Sequence, residues 1–339
     1  MKLHIYRYDL RLANTFTITH ESRDVQPTVI VGLEDDHGNI GWGEATAIPY
    51  YGQSQDKIVA TLEANRSVIE TTPLDTPETY WATMHQNFGE HPFELCAMDI
   101  AANDLYGKQQ GKPLYKLWGL QTQHLPLTNY TIGIADIPEM VRKMKAMPWP
   151  LCKIKMGTDH DLAIIQALRQ ETRATCRIDA NTGWTAQQTI DLAPALKALD
   201  VEFIEQPLVA DNWSGQAQVF AESVLPIMAD ESCQREEDVA KCHGYFHGIN
   251  IKLVKCGGLT PARRMIAQAK KLGMKVMVGC MTESSIGISA IAHLLPLLDY
   301  VDMDGALLLA KDIASGVNIQ DGIIHYADRP GRGAELHLL

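Results

Sequence analysis

Lys153 and Lys155 stand two residues apart in the apolar segment LCKIKMG, residues 151 to 157. Successive strand side chains alternate faces, so both ammonium groups point the same way. Cys152, Ile154 and Met156 fill the opposite face. If that face packs under helices, the lysines turn inward, where two buried cations need something to balance them or something to act on. Downstream, Asp179, Glu205, Asp230, Lys252 and Asp302 close further apolar segments. From Lys155 onward the separations are 24, 26, 25, 22 and, across one intervening segment, 50 residues. One such step is the length of a strand-helix unit, so the spacing gathers these side chains around a single mouth.

Asp179, Glu205 and Asp230 are three hard oxygen donors without Cys or His neighbours, a set suited to Mg²⁺ rather than zinc. With an ordinary pKa near 10.4, only about 0.04% of a lysine is neutral at pH 7, too little for a general base. A second lysine and a nearby cation both disfavour the charged form, so Lys153 tunes Lys155 toward basicity while helping to hold an oxyanion. Lys252, in NIKLVKCGG, ends the sixth strand, across the mouth from the second. Two bases flanking one carbon, one taking a proton and the other returning one, would invert its configuration. Lys255 falls beyond the strand end and is expected in a loop.

Positioning these residues requires eight short apolar strands: PLTNYTIGI, CKIKM, CRIDA, EFIEQP, PIMADE, GINIKL, MKVMVG and LDYVDMD, separated by helical stretches. Alternating β and α units predict a parallel sheet, and eight of them predict a closed (β/α) barrel over residues 125–310. The first third reads differently. Strands KLHIYRYDL, PTVIVGLED and HGNIGWGEA, with a turn at His37-Gly38-Asn39, precede helical patterns near 54–70, 76–87 and 92–109, an α+β domain over 1–124. The Gly-rich tail 311–339 is expected to return to that domain.

The formal net charge of −11 and pI near 5.5 argue against nucleic acid, which needs a basic footprint. A 46% hydrophobic and 21% charged composition is that of a folded globular chain. Seven scattered cysteines without C-x-x-C read as reduced thiols. MKLHIYRYDLRL lacks the apolar core of a signal peptide, and no span nears the roughly 20 apolar residues of a membrane helix, so a cytoplasmic location is expected. Twelve histidines form no H-E-x-x-H, Glu44 in GWGEA reads as structural, and the Gly-Gly turn of KCGGLTPARR reads as a helix entry rather than a phosphate site.

The motifs KIK, DAN, EQP, DES and IKLVKCGG, in this order and with GWGEA ahead of them, resemble the enolase superfamily and its muconate-lactonizing-enzyme subgroup over essentially the whole chain. The resemblance implies a modified TIM (β/α) barrel with an α+β capping domain and one Mg²⁺ per subunit on Asp179, Glu205 and Asp230. It implies Lys155 and Lys252 as the acid/base pair in abstraction of a proton α to a carboxylate, giving an Mg-stabilised enolate that Lys153 also holds. Cycloisomerases, o-succinylbenzoate synthases and epimerases share these residues. Asp302 and Asp304, read as one face of the eighth strand, resemble the D-x-D by which dipeptide epimerases bind a substrate ammonium, a match for two carboxylates. Thr131 corresponds to a substrate-contacting position, and GCMTESS, with Cys280 and Met281, is expected to offer backbone groups to the peptide. Where relatives acting on Ala-Glu carry an arginine, TFTITHESRDVQ has Glu21, with Arg23 two residues on. The expectation is a dipeptide epimerase favouring small or apolar second residues, as in Ala-Ala or Ala-Val, over Ala-Glu, with a cationic residue opposite Glu21 as the lesser option. The alternative is a cycloisomerase or o-succinylbenzoate synthase. Neither a membrane nor nucleic acid is expected as partner, and a homo-oligomer is left open.

Overall fold

The computed structural model describes residues 1–337. Strands β1 (Lys2–Ile18), β2 (Glu21–Glu34) and β3 (Ile40–Thr46) form an antiparallel sheet, with β1 bulged between Arg11 and Phe16. Helices α1 (Gln55–Ala64), α2 (Arg66–Thr71), α3 (Pro77–Phe88) and α4 (Pro92–Gln109) follow. Helix α4 is buried along most of its length, including Ala97, Ala101 and Leu105. The glycines of GWGEA explain how it packs so close. A Cβ on Gly41 or Gly43 would collide with the backbone of Ala101 or Ala97, so the bare strand lets helix and sheet meet.

Eight parallel strands come next: β4 (Tyr130–Ile132), β5 (Leu151–Lys155), β6 (Thr175–Asp179), β7 (Val201–Glu205), β8 (Ile227–Ala229), β9 (Gly248–Lys252), β10 (Lys275–Gly279) and β11 (Tyr300–Asp302). They hydrogen-bond in chain order, and a bridge between Thr128 and Val301 brings the last strand to the first. Ile154, Ile178, Ile204, Ile249, Ile251 and Val278 are buried beneath the surrounding helices, as the apolar runs require. Phe203, Met228 and Met277 plug the inside, and the Arg177 guanidinium lies over Phe203 and Tyr300 at 5.1 and 4.8 Å. Register then does the positioning. Lys155 pairs with Asp179 and Asp179 with Glu205, while Lys252 pairs with Gly279 and Gly279 with Asp302. Asp230 is the first residue past β8.

The tail touches both parts. Leu114 N–H bonds to the Gly331 carbonyl and Gly331 N–H to that of Lys112, while Val317 N–H bonds to Ser289 of the barrel. Among the described residues, no helix is long and apolar enough to cross a membrane.

Buried carboxylates fasten the cap to the barrel. Glu44 accepts from Ser284 N–H and O–H and from Gly287 N–H, which fits its structural reading. Asp99 on α4 accepts from Thr260 N–H and O–H at 2.9 and 2.7 Å. Burial nevertheless pushes Asp99 up to about 7, and burial with Glu44 nearby pushes Glu283 up to about 8. Both folded-state values exceed the unfolded ones, so the stability these protons contribute is complete below about pH 4 and is lost as pH rises through 7 to 8. In that window each group lowers stability by up to about 1.4 kcal/mol per pH unit. Asp99→Asn keeps an acceptor without the titration. Its melting temperature is expected to fall less steeply than the wild type's between pH 5 and 8 in thermal unfolding, and parallel slopes would remove Asp99 from the account.

Candidate active site

The carboxylates of Asp179, Glu205 and Asp230 are fully buried, and one oxygen from each lies within 4.8 Å of the others. Three lysines face them. Lys153 Nζ stands 2.7 Å from Asp302 Oδ2, 2.9 Å from Glu205 Oε2 and 3.0 Å from Asp179 Oδ2. Lys155 Nζ donates to Asp179 Oδ2 at 2.6 Å, and Lys252 Nζ lies 2.9 Å from Asp230 Oδ2. Two of these facing oxygens, Glu205 Oε2 and Asp230 Oδ2, are buried without a hydrogen bond, because the ammonium groups beside them are close but misaligned. Converging hard oxygens short of donors, with no thiolate or imidazole among them, fit a small divalent cation.

The electrostatics follow from crowding. Burial raises Asp179 and Asp230, but the lysines outweigh it and hold both below the usual carboxylate range. Glu205 is pushed up to about 7 by burial and then by Asp179. Burial pulls Lys153 and Lys252 down, yet Asp179 with Asp302 and Glu205 in one case, and Asp230 in the other, hold them well above the ordinary lysine value. A cation among the carboxylates works in the opposite direction on every lysine.

Lys255 corrects the sequence reading. It is not in a loop but on a helical turn, Leu253–Cys256, capped by Gly257 at φ 93°. That turn curls the side chain back under Asp230, where buried Nζ donates to Asp230 Oδ1 at 2.5 Å and to its carbonyl at 2.6 Å. Gln206, of EQP, accepts from Asp230 N–H at 2.9 Å, so this aspartate is gripped from both sides. Asn250 Nδ2 donates to Glu205 Oε1 at 2.6 Å. Sequence reasoning passed over Asn250, although it lies two residues before Lys252 on the same inward face. It also passed over Glu231, buried in the mouth and pushed up to about 8 by burial and Asp230.

Asp302 and Asp304 meet, though not by strand alternation. Strand β11 ends at Asp302, and Asp304 precedes a 3₁₀ turn, Gly305–Leu308, that swings it inward. One oxygen from each lies with Cys280 Sγ inside a 4.8 Å group. Asn129 Nδ2 donates to Asp302 Oδ1 at 2.8 Å, and Thr131 supplies its N–H and its hydroxyl to Asp304. Burial, then Asp302, pushes Asp304 up to about 8.

Lys153, Lys155, Lys252, Thr131, Cys280, Met281, Asp302 and Asp304 line one cleft. The β1–β2 hairpin covers it. Thr19 at its tip donates to the Met156 carbonyl at 2.8 Å, and His20 bonds to the Asn181 carbonyl at 2.9 Å. Gly157 makes this docking feasible, since a Cβ there would strike Thr19. The hairpin carries Glu21 and Arg23 into the cleft wall, paired to each other, and Arg23 also donates to Gln26. Phe16, Ile18 and Leu308 complete an apolar side.

Residues 3–119 match the mandelate racemase/muconate lactonizing enzyme N-terminal domain, and residues 136–338 match the enolase C-terminal domain-like family. The chain is 56% identical to an L-Ala-D/L-amino acid epimerase of Flavobacterium johnsoniae, over 99% of this chain and all of that protein. It is 39% identical to an L-Ala-D/L-Glu epimerase of Bacteroides thetaiotaomicron, over 98% of this chain and 87% of that protein. Among solved structures it is similar to the dipeptide epimerase from Cytophaga hutchinsonii complexed with Mg and D-Ala-L-Val. That match has a TM-score of 0.93 at 27% identity and covers 98% of this chain and 95% of that one.

Proposed function

Since this chain belongs to the enolase superfamily, in its mandelate racemase/muconate lactonizing enzyme branch, and is an isomerase of the epimerase kind, we propose that it inverts the α-carbon of the C-terminal residue of a dipeptide. Small or apolar second residues, as in Ala-Ala or Ala-Val, are favoured over Ala-Glu. One observation carries the reading. Two buried lysines, on the second and sixth of eight barrel strands and so on opposite sides, face a cleft whose wall also holds the buried acids Asp302 and Asp304.

Each group then has a task. A divalent cation on Asp179, Glu205 and Asp230 would supply positive charge for the substrate carboxylate as the α-proton leaves. Lys153, held as an ammonium, donates to the same carboxylate. Lys155 takes or returns the α-proton at Nζ on one face, and Lys252 does so on the other. Asp304, with Asp302 beside it, accepts the peptide's ammonium, the counter-charge that a buried acid pair calls for. Cys280 and Met281 line the path of the peptide. Residues 1–124 with 311–339 act as the cap that carries the specificity hairpin, and 125–310 as the catalytic barrel.

Specificity rests on Glu21 and Arg23. Because Arg23 donates through one Nη to Glu21 and through the other to Gln26, a substrate carboxylate would have to compete with those partners, and the Glu21–Arg23 pair brings no net charge to the cleft. The 56% identical relative, an L-Ala-D/L-amino acid epimerase, supports a side-chain pocket not restricted to Glu. Dipeptides screened in D₂O with Mg²⁺ are expected to gain one deuterium, Ala-Ala and Ala-Val faster than Ala-Glu. No exchange of any dipeptide, with turnover of a muconate or formation of o-succinylbenzoate instead, would favour the cycloisomerase or synthase alternative.

Asp304→Asn should weaken dipeptides by about 10- to 150-fold in kcat/KM, the scale of one charged hydrogen bond, and N-acylated analogues only slightly. Asp302→Asn should weaken both, because Asp302 also holds Lys153. Equal losses for amine and acyl ligands in the Asp304 variant would mean that it does not read the ammonium.

A further inference from the structure

Two of the three metal-site carboxylates share a feature that their identity alone does not require. In Glu205 and Asp230 one oxygen is tied by a donor of the protein and the other, buried among the lysines, accepts no hydrogen bond from the described residues, whereas Asp179 accepts at both oxygens. Asp179 Oδ1 accepts from Asn181 N–H at 3.0 Å, while Oδ2 faces Lys155. Glu205 Oε1 accepts from Asn250 Nδ2, and Oε2 is without a hydrogen bond. Asp230 Oδ1 accepts from Lys255 Nζ, and Oδ2 is without one. An oxygen that already accepts from a fixed donor has a lone pair spent and its direction set, so Glu205 and Asp230 are biased toward offering a cation the other oxygen.

That distinction separates two common divalent ions. Mg²⁺ is small and six-coordinate, with oxygens at about 2.0–2.1 Å. Ca²⁺ takes six to eight oxygens at about 2.3–2.6 Å and readily uses carboxylates through both oxygens. We propose that Asn250 and Lys255 are positioning residues that restrict Glu205 and Asp230 to one-oxygen ligation and so make the site select Mg²⁺ over Ca²⁺. The inference rests on reading the carboxylates as a divalent-cation site.

Both tethers are built to hold. Asn250 is fully buried, and its amide has space because Gly279, two pairs further along β10, lacks a side chain, a Cβ there coming within 2.6 Å of Asn250 Oδ1. Lys255 is buried on a turn fixed from outside, since Trp81 Nε1 donates to the Gly257 carbonyl at 2.9 Å. Lys255 bonds to the Asp230 carbonyl as well as to its side chain, which opposes the swivel that would offer both oxygens. Both residues belong to the strand and turn that also carry Lys252.

The readout must separate positioning from charge. Removing the Lys255 cation makes the site more attractive to any divalent ion, and to the two ions equally, so their affinity ratio isolates the geometric effect. Calorimetric titration of the chelator-treated full chain with MgCl₂ and with CaCl₂ provides that ratio without reference to turnover. The wild type is expected to prefer Mg²⁺. In Asn250→Ala and in Lys255→Met the Mg²⁺/Ca²⁺ affinity ratio is expected to fall by about 10-fold, the lower end of what losing a partner behind a ligand costs in affinity for one metal. Either variant suffices if the other does not fold. Ratios within about twofold of the wild type, in folded variants of a protein that itself prefers Mg²⁺, would overturn the inference alone. A wild type that binds neither ion would overturn the inference together with the metal reading beneath it.

Discussion

Glu205→Gln is expected to lower turnover of Ala-Ala or Ala-Val by about 10⁴-fold or more while making the chelator-treated protein more stable at pH 8. The loss follows from what the side chain offers. Gln keeps the length of Glu and can still accept from Asn250, but it turns an NH₂ toward the place where Glu205 Oε2 now faces Asp179 and Asp230. A site stripped of one of three anionic ligands and given a donor in its place holds a divalent cation poorly. Losing electrostatic help of several kcal/mol at the developing enolate multiplies to roughly four powers of ten. The gain in stability has the same source. Glu205 is buried, sits among carboxylates and, among the described residues, has only Lys153 as a cationic neighbour within salt-bridge distance, so its charge is a cost to the fold. Neutralising it should return about 2 kcal/mol in the absence of divalent cation. Asp179→Ala and Asp230→Ala should abolish turnover too, but each strands lysines that the aspartate now pairs. Thermal melts with chelator and turnover assays with saturating Mg²⁺ check both halves. Full turnover after exhaustive chelation would refute the metal assignment.

Much of this site was legible because its chemistry interrupts a regular pattern. A charged residue at the end of a short apolar strand stands out, and six of them one strand-helix unit apart, or two in one case, fix a barrel mouth. The reading failed where strand logic was carried past the strand. Alternation places Asp304 on the face of Asp302, but the chain has left β11 by then, and a 3₁₀ turn brings the two acids together. Lys255, read from the sequence as a loop residue and a lesser candidate than Lys252, is misplaced for the same reason in reverse. Its separation of three from Lys252, followed by Gly257-Gly258, is the signature of one helical turn with a glycine cap, and that turn aims it at Asp230. Strand length was also overread. Of PLTNYTIGI only Tyr130–Ile132 is strand, because the barrel needs only a few paired residues at each stave. From the sequence, Arg23 substitutes for the arginine missing at the Glu21 position if the register of the loop differs. Glu21 and Arg23 lie two apart on β2, hence on one side, where opposite charges pair. How the tethers on Glu205 and Asp230 are arranged depends on contacts between strands, which spacing along one chain does not encode.

The two lysines carry the central claim. Lys155→Ala and Lys252→Ala should each reduce net epimerisation by about 10³-fold or more, since inversion needs a base on one face and an acid on the other. The structure makes both variants interpretable. Without Lys155, Asp179 still has Lys153 at 3.0 Å, and without Lys252, Asp230 still has Lys255 at 2.5 Å, so neither deletion leaves a buried carboxylate without a cation. Exchange at the α-carbon should then fail asymmetrically. A protein lacking Lys252 still removes and returns the proton on the face of Lys155, and the other variant works on the opposite face. The decisive measurement is deuterium incorporation, at neutral pH and with Mg²⁺, into each separate C-terminal epimer of Ala-Ala or Ala-Val by each variant. The expected result is that each variant exchanges one epimer, with retention, and that the two variants exchange opposite ones. Comparable exchange of both epimers by both variants would contradict the two-lysine account and point to a single base serving both faces.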